Sequence, residues 1–501
     1  MPLTPRATRA APRRPGVLPA LLAALLVALS LLAPAAAAAH TRLKAAAPAP
    51  GATVADTLSE IRLSFTLPVV AELTSLVLTT GASTAAQGAL RPVEGSGSTA
   101  FVFPLPRRLA AGAYTAVWRS AGADGHVIHG NFTFTVHADG GAAPSRTVAG
   151  GGVTQVEPAG AVPVSAFQPA PADAPGDHAP VDAGGEEDGA GMSEYDAVAP
   201  LPLAVRWLQF VALLAMIGAV AFNLLVVRRV GTALPEKVAD RAAYGTWHIA
   251  AGAAALGLLT LVVRLWLQSR AIFGPDEAFD GELLDALLRG TVWGSGWILQ
   301  AVATVAFFLG LMVARAPHGR SIGWMGAAFA ALLLAAVPAL SGHASSAQGF
   351  TAVAIVADWL HVLGAAVWLG TLGSLLLAGF PAAAFAAEGE GTAAFARMVR
   401  GFSPVALAGA ATAGATGVVS SLFHLTSVTN LWGTWYGRML VLKLALLGVV
   451  VLLGYVNWRR VLPVADTPEG TRRLRRNAAV ELANGVVVLL VTAALVALPT
   501  P

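Results

Sequence analysis

A small all-β, immunoglobulin-like sandwich followed by an all-α polytopic membrane bundle of eight transmembrane helices is the fold class this sequence predicts. Three observations lead there. Of 501 residues, 56% are hydrophobic and only 12% are charged, about half the charged fraction of an ordinary soluble domain. From Leu201 onward, apolar runs of about 20 residues recur, each long enough to cross about 30 Å of hydrocarbon. Before them, residues 40–137 show short alternating runs punctuated by Gly and Pro, the pattern of half-buried strands.

Residues 1–39 have the layout of a secretory signal. Arg6, Arg9, Arg13 and Arg14 form a basic segment, Val17 to Leu32 an apolar core, and Ala35 to Ala39 a small-residue cleavage zone. Cleavage after Ala39 makes His40 the new N-terminus; an uncleaved anchor is the alternative. Cleavage also removes four arginines and no acid, so the formal charge of +4 falls to zero in the mature chain. No Lys/Arg cluster with interleaved aromatics marks a nucleic-acid surface.

Within residues 40–137, strands are expected at Ile61–Phe65, Ser75–Thr80, Ala100–Pro104, Tyr114–Trp118 and Asn131–Val136, at spacings that suit a small sandwich. Residues 138–199 are rich in Ala, Gly, Pro and acids, including Glu186, Glu187 and Asp188. Such a composition buries too little apolar surface to offset ordering entropy, so this stretch reads as a flexible acidic tether. Asp177, His178 and Met192 read as parts of that solvated linker.

Residues 200–501 form the membrane domain, with spans expected at about 203–227, 245–267, 296–314, 322–340, 352–379, 402–424, 438–458 and 478–498. With the sandwich outside, the inner loops carry fourteen Lys and Arg, six of them between Arg459 and Arg476, whereas the outer loops carry Arg270 and Arg289, with Arg438 at a boundary. That asymmetry is a positive-inside pattern. It places the sandwich and the C-terminus on the extracytoplasmic face of a multi-pass plasma or inner membrane protein.

The absence of cysteine excludes disulfides, thiolate relays and thiol catalysis. There is no GxxxxGK[ST] loop and no DKTG motif, so nothing marks an ATP-driven pump. A mature N-terminal His40 is distinctive, because its α-amine and imidazole Nδ1 can close a chelate ring on one metal ion. Neutral nitrogens in a tetragonal arrangement favour Cu(II). Asp124-Gly125-His126, on a Gly-containing turn before the last strand, supplies a candidate carboxylate and a second imidazole.

Together, the opening His40–Ala52, the strand Ile61–Val69 and the stretch Ser120–Val136 with its Asp-Gly-His motif resemble the periplasmic copper-binding CopC family across the whole domain. In that family the N-terminal His and the Asp and His of the motif bind Cu(II), which implies those roles for His40, Asp124 and His126. Residues 40–191 contain no methionine, so the Met-rich Cu(I) site of some members has no counterpart and only a Cu(II) site is expected. His129 and His137 carry no family role and read as strand-surface residues.

The membrane half resembles the copper-resistance CopD family over essentially all eight spans, on Ser341–Ser345, Asp358–Gly370, Arg400–Pro404, Tyr436–Lys443, Asn457–Arg460 and Glu481–Gly485. A CopC-like domain joined to a CopD-like bundle resembles the fused bacterial copper-import proteins. The resemblance implies capture of Cu(II) outside the membrane and support of copper uptake across it, with no enzymatic activity. Copper ions and the lipid bilayer are the implied partners, with other copper chaperones as further ones and no nucleic acid.

Ionisable groups inside a bilayer usually face an interior path. His343 precedes the fifth span, Asp358 and His361 lie three apart on it, and His424 ends the sixth, all in the outer half; these four are the candidate membrane ligands. Asp358 is expected to orient His361, Lys443 to pair with Asp358, and Arg264 and Glu481 to form structural ion pairs, Glu481 with the inner arginines. Met216, Met312, Met325 and Met439 form no ladder and read as packing residues. Three other readings stay open: copper buffering, resistance or metallochaperone work without net transport; a copper oxygenase; and haem held between His361 and another span.

Overall fold

Alternation in residues 40–137 becomes nine strands among the described residues: β1 (Leu43–Ala47), β2 (Thr53–Ala55), β3 (Glu60–Phe65), β4 (Ser75–Thr80), β5 (Ser83–Ala89), β6 (Arg91–Pro92), β7 (Ala100–Pro104), β8 (Gly112–Ala121) and β9 (Val127–His137). The structure is a computed structural model that describes residues 41–122, 127–137, 199–341, 351–387, 389–424 and 429–498. The expected signal segment and all but the last residue of the tether lie outside these. The strands form two sheets, β1-β3-β7-β6 and β2-β9-β8-β4-β5. All pairs are antiparallel except β2 with β9.

The five expected strands are β3, β4, β7, β8 and β9. Each has branched or aromatic residues at every second position, and those residues fill the space between the sheets. In β3, Ile61, Leu63 and Phe65 are buried while Arg62 is exposed. Phe65 meets Phe101 and Trp118 edge-on at centroid distances of 5.9 and 5.5 Å, and Tyr114 stacks on Phe134 at 5.7 Å. Burying each such ring contributes about 1.5–3 kcal/mol. Opposite Trp118 in the ladder stands Gly130. A Cβ there would lie 2.8 Å from the indole, so only glycine fits.

Nine helices make up most of the remaining described chain: α1 (Pro200–Ala233), α2 (Glu236–Phe273), α3 (Gly281–Gly290), α4 (Val292–Arg315), α5 (Arg320–Leu340), α6 (Ala352–Ala383), α7 (Gly391–Ser421), α8 (Trp435–Val464) and α9 (Pro468–Leu495). All but α3 are long and apolar enough to cross a membrane, and they correspond to the eight expected spans. α2 and α7 start about ten residues earlier than the apolar runs suggest, because helix continues past the hydrocarbon into polar sequence. At the bundle centre Gly218 of α1 lies against Gly370 of α6, and a Cβ on Gly218 would fall 2.3 Å from the Gly370 Cα. Small residues let two backbones touch in this way. The helical ladder widens to a π-turn at Ala366–Gly370, and again at Phe222–Val227 and Asn457–Val461.

Candidate metal centre

His40, Asp124, His126 and His343 lie outside the described residues, as does the side chain of His424, the last residue of the helix begun by α7. Their immediate neighbours are described. Arg42 and Thr66 exchange two hydrogen bonds: the Arg42 amide donates to Thr66 Oγ1 and the Thr66 amide to the Arg42 carbonyl, both at 2.9 Å. Three residues on, Val69 bridges Gly122, and the Val70 amide donates to the Ala121 carbonyl at 2.9 Å. One short segment, Thr66–Val70, therefore ties the chain two residues after position 40 to the chain just before position 123.

The same end of the sandwich packs against the helices. Leu73 and Ala121, with Val70, form an apolar cluster with Ile272 and Phe273 at the end of α2, Leu287 of α3 and Trp293 of α4. Leu73, Ala121 and Leu287 are each 0–3% exposed. α3 is built for this contact. Asp280 caps it by accepting from the Glu282 and Leu283 amides at 3.0 Å, a cap worth about 1 kcal/mol. Thr291 then starts α4 by accepting from the Gly294 amide at 2.8 Å.

In the helices, Asp358 and His361 lie on α6 and Lys443 on α8, all within the first ten residues of their helix. His361 is half-buried, and its Nδ1 lies 2.9 Å from the Ala413 carbonyl of α7. A carbonyl only accepts, so Nδ1 carries the proton and Nε2 holds the lone pair. This carbonyl supplies the orienting contact that the sequence suggested for Asp358. Gly417 makes room for the ring: a Cβ there would come within 3.1 Å of His361 Cε1. The Lys443 ammonium is near enough to both Asp358 and His361 for their charges to interact. Among the described residues, no group of three or more His, Cys, Asp or Glu side chains is close enough to hold a metal ion.

Two expected ion pairs are replaced by other contacts. Glu481 meets not the inner arginines but Asn457, whose Nδ2 donates to Oε2 at 3.4 Å, and Trp368, which donates to the same carboxylate. Asn477 in turn donates to Asn457 Oδ1 at 2.9 Å. The arginines of α9 begin a turn closer to the helix start and point to solvent, whereas Glu481 is 6% exposed. Arg264 has an amide and a ring rather than a carboxylate: Nη1 donates to Gln209 Oε1 at 3.4 Å and the guanidinium lies over Trp293 at 5.3 Å. Met216, expected to pack, is 1% exposed in the bundle core.

Comparison with known families divides the chain into three matched stretches. Residues 43–137 match the CopC domain, residues 196–353 the copper resistance protein D-like N-terminal domain, and residues 396–495 copper resistance protein D. The chain has a fused CopC–CopD architecture. A relative, the copper transport protein CutJ of Bacillus subtilis, is 27% identical over 405 residues, 79% of this chain and 62% of that protein. The match thus spans less than two thirds of the relative's length. Among solved structures, CopC from Methylosinus trichosporium OB3b is 22% identical, covering 21% of this chain and 100% of its own, with a TM-score of 0.19. PcoC, a methionine-rich copper resistance protein from Escherichia coli, is 30% identical, covering 20% of this chain and 100% of its own, with a TM-score of 0.18.

The contacts that sequence reasoning missed join the CopC domain to the CopD-type bundle. Leu73 and Leu287 look like any apolar loop residues, and only the fold shows that they meet. α3 itself had a readable signal, since Asp280 followed by Leu283, Leu284, Leu287 and Leu288 is a capped amphipathic turn pattern. Gly417 and Ala413 carried no signal, because the partner of a histidine on another helix cannot be read from spacing.

Proposed function

We propose that the CopC domain captures Cu(II) outside the membrane through the His40 amine and imidazole with Asp124 and His126, and hands it to the outer half of the bundle for uptake. His343, His361, His424 and Asp358 are the receiving groups, with His361 Nε2 as the first acceptor. The observation that carries this reading is the docking of the sandwich. Ala121, two residues before position 123, and Val70, whose amide donates to the Ala121 carbonyl, are among the residues packed with Ile272 and Leu287. The sandwich rests on α2, α3 and α4 and is joined to the bundle through residues 138–199, and a tethered donor has a high effective concentration.

The fused architecture supports the same reading, as does the name of the relative CutJ, a copper transport protein. The positive-inside count of the loops supports the orientation, with sandwich and C-terminus extracytoplasmic.

Whole-cell copper in strains with and without the gene tests the direction. Uptake predicts lower copper in the deletion strain. Equal or higher copper there refutes uptake and favours buffering, resistance or delivery to other chaperones without net transport.

A further inference from the structure

α2 is 38 residues long, about 57 Å at 1.5 Å per residue, and its two ends have different surroundings. Its Phe273 end meets the sandwich. Its Glu236 end borders a cavity of ≈ 1070 Å³ between α1, α2, α4 and α5. Five cations line this cavity, Arg228, Lys237, Arg241, Arg315 and Arg320, against the two carboxylates Glu236 and Asp240.

The cations are only loosely neutralised. Arg320 approaches Asp240 at 3.9 Å, between two exposed side chains, a separation at which a surface pair contributes little. Arg241 rests on Phe385 at 4.1 Å and Arg315 on Trp247 at 4.8 Å. Arg228 and Arg320 are close enough to repel one another. Elsewhere at this end Arg400 pairs with Asp466 and Arg473 with Glu469, while Arg459 lies over Trp458 and Arg475 over Phe380. What sets the cavity apart is that five cations share one hollow.

A second observation points into the same hollow. Asn223, on the π-turn of α1, lines the cavity, is 2% exposed, and its Oδ1 has no hydrogen-bond partner among the described residues. A buried amide oxygen is costly to leave unmatched, and it asks for a donor such as a hydroxyl. Arginines around the opening ask for a phosphate.

We propose that this cavity binds a glycerol phosphate group, its phosphate held by Arg228, Arg315 and Arg320 and a hydroxyl donating to Asn223 Oδ1. Basic hollows between transmembrane helices commonly hold anionic headgroups, and the same chemistry is offered by a phosphatidylglycerol lipid or by free glycerol phosphate.

The test uses the purified full chain in detergent, titrated with phosphatidylglycerol, with phosphatidylcholine, and with soluble glycerol phosphate, read by thermal shift and by native mass spectrometry. Phosphatidylglycerol is expected to bind and stabilise where phosphatidylcholine does not. The pair R228Q/R315Q, both exposed and tolerant of change, should weaken binding by roughly fivefold per cation, and Asn223→Leu should weaken it further. R472Q/R476Q, at the same end but away from the cavity, should match the wild type. Binding of glycerol phosphate itself supports the site and makes the source soluble; binding of the lipid alone supports it and makes the source the bilayer. Equal binding by R228Q/R315Q and R472Q/R476Q, or no preference for phosphatidylglycerol over phosphatidylcholine together with no glycerol phosphate binding, overturns the proposal.

Discussion

The Nδ1–H of His361 on α6 donates to the Ala413 carbonyl oxygen on α7 at 2.9 Å, which leaves the ring's lone pair on Nε2, the atom proposed to meet copper. The ring's position depends on Gly417, whose missing Cβ leaves room beside Cε1. His361→Ala should therefore abolish most labelled copper uptake in proteoliposomes. Gly417→Ala should reduce it by displacing the ring while the histidine is retained. Uptake at the wild-type rate in His361→Ala would remove this residue from the path.

The Cu(II) site proposed for the CopC domain depends on a free α-amine at His40. Adding one residue before His40 in the mature protein converts that amine to an amide and breaks the chelate ring. Loss of an outer-sphere partner costs a metal site about 10- to 100-fold in affinity, and loss of a direct ligand should cost at least as much. A competition titration with a chromophoric chelator measures this. An affinity unchanged by the extension would sink the site.

Much of the fold was legible because its signals are local. Ile61, Leu63 and Phe65 alternate with polar residues, and β3 follows from them directly. β1 and β5 were missed because small residues dominate both. β1 reads Leu-Lys-Ala-Ala-Ala and β5 is mostly Ser, Thr, Ala and Gly, so neither has the run of branched and aromatic side chains that marks a strand. The eight spans follow from apolar length alone. Contacts between distant segments were not legible. Glu481 and Asn457 are 24 residues apart, and the nearest opposite charges in sequence, the arginines of α9, were the natural guess. They sit on the polar start of the helix, and the carboxylate faces the bundle interior.

Docking of the sandwich rests on a few buried apolar side chains, so it should be sensitive to one charge. Leu287 is 0% exposed in the cluster with Leu73 and Ala121. Leu287→Asp buries a carboxylate in an apolar cluster, and release of the sandwich hydrates it. Hydrogen exchange should then rise in Val70–Thr74 and in α3 but stay slow in β3 and β8, which have their own core. Copper uptake should fall while the Cu(II) affinity of the CopC domain stays the same. Unchanged exchange at Val70–Thr74 would show that this contact does not hold the sandwich.

Glu481 offers a sharper discrimination, because two readings of it predict opposite variants. If the carboxylate paired with the inner arginines, removing Arg476 would destabilise the bundle. In the structure the carboxylate accepts from Asn457 Nδ2 and from Trp368, so both partners are donors. Glu481→Gln keeps the shape but replaces one of the two acceptor oxygens with an NH2 donor among donor partners. A typical intramolecular hydrogen bond contributes about 0.5–1.5 kcal/mol, so Glu481→Gln should lose about that much stability and Asn457→Ala a similar amount. Arg476 is exposed, and Arg476→Gln should stay within about 0.5 kcal/mol of the wild type. Thermal unfolding in one detergent at one protein concentration compares the three. A wild-type midpoint for Glu481→Gln, or a lowered one for Arg476→Gln alone, would return the arginines as the partners of Glu481.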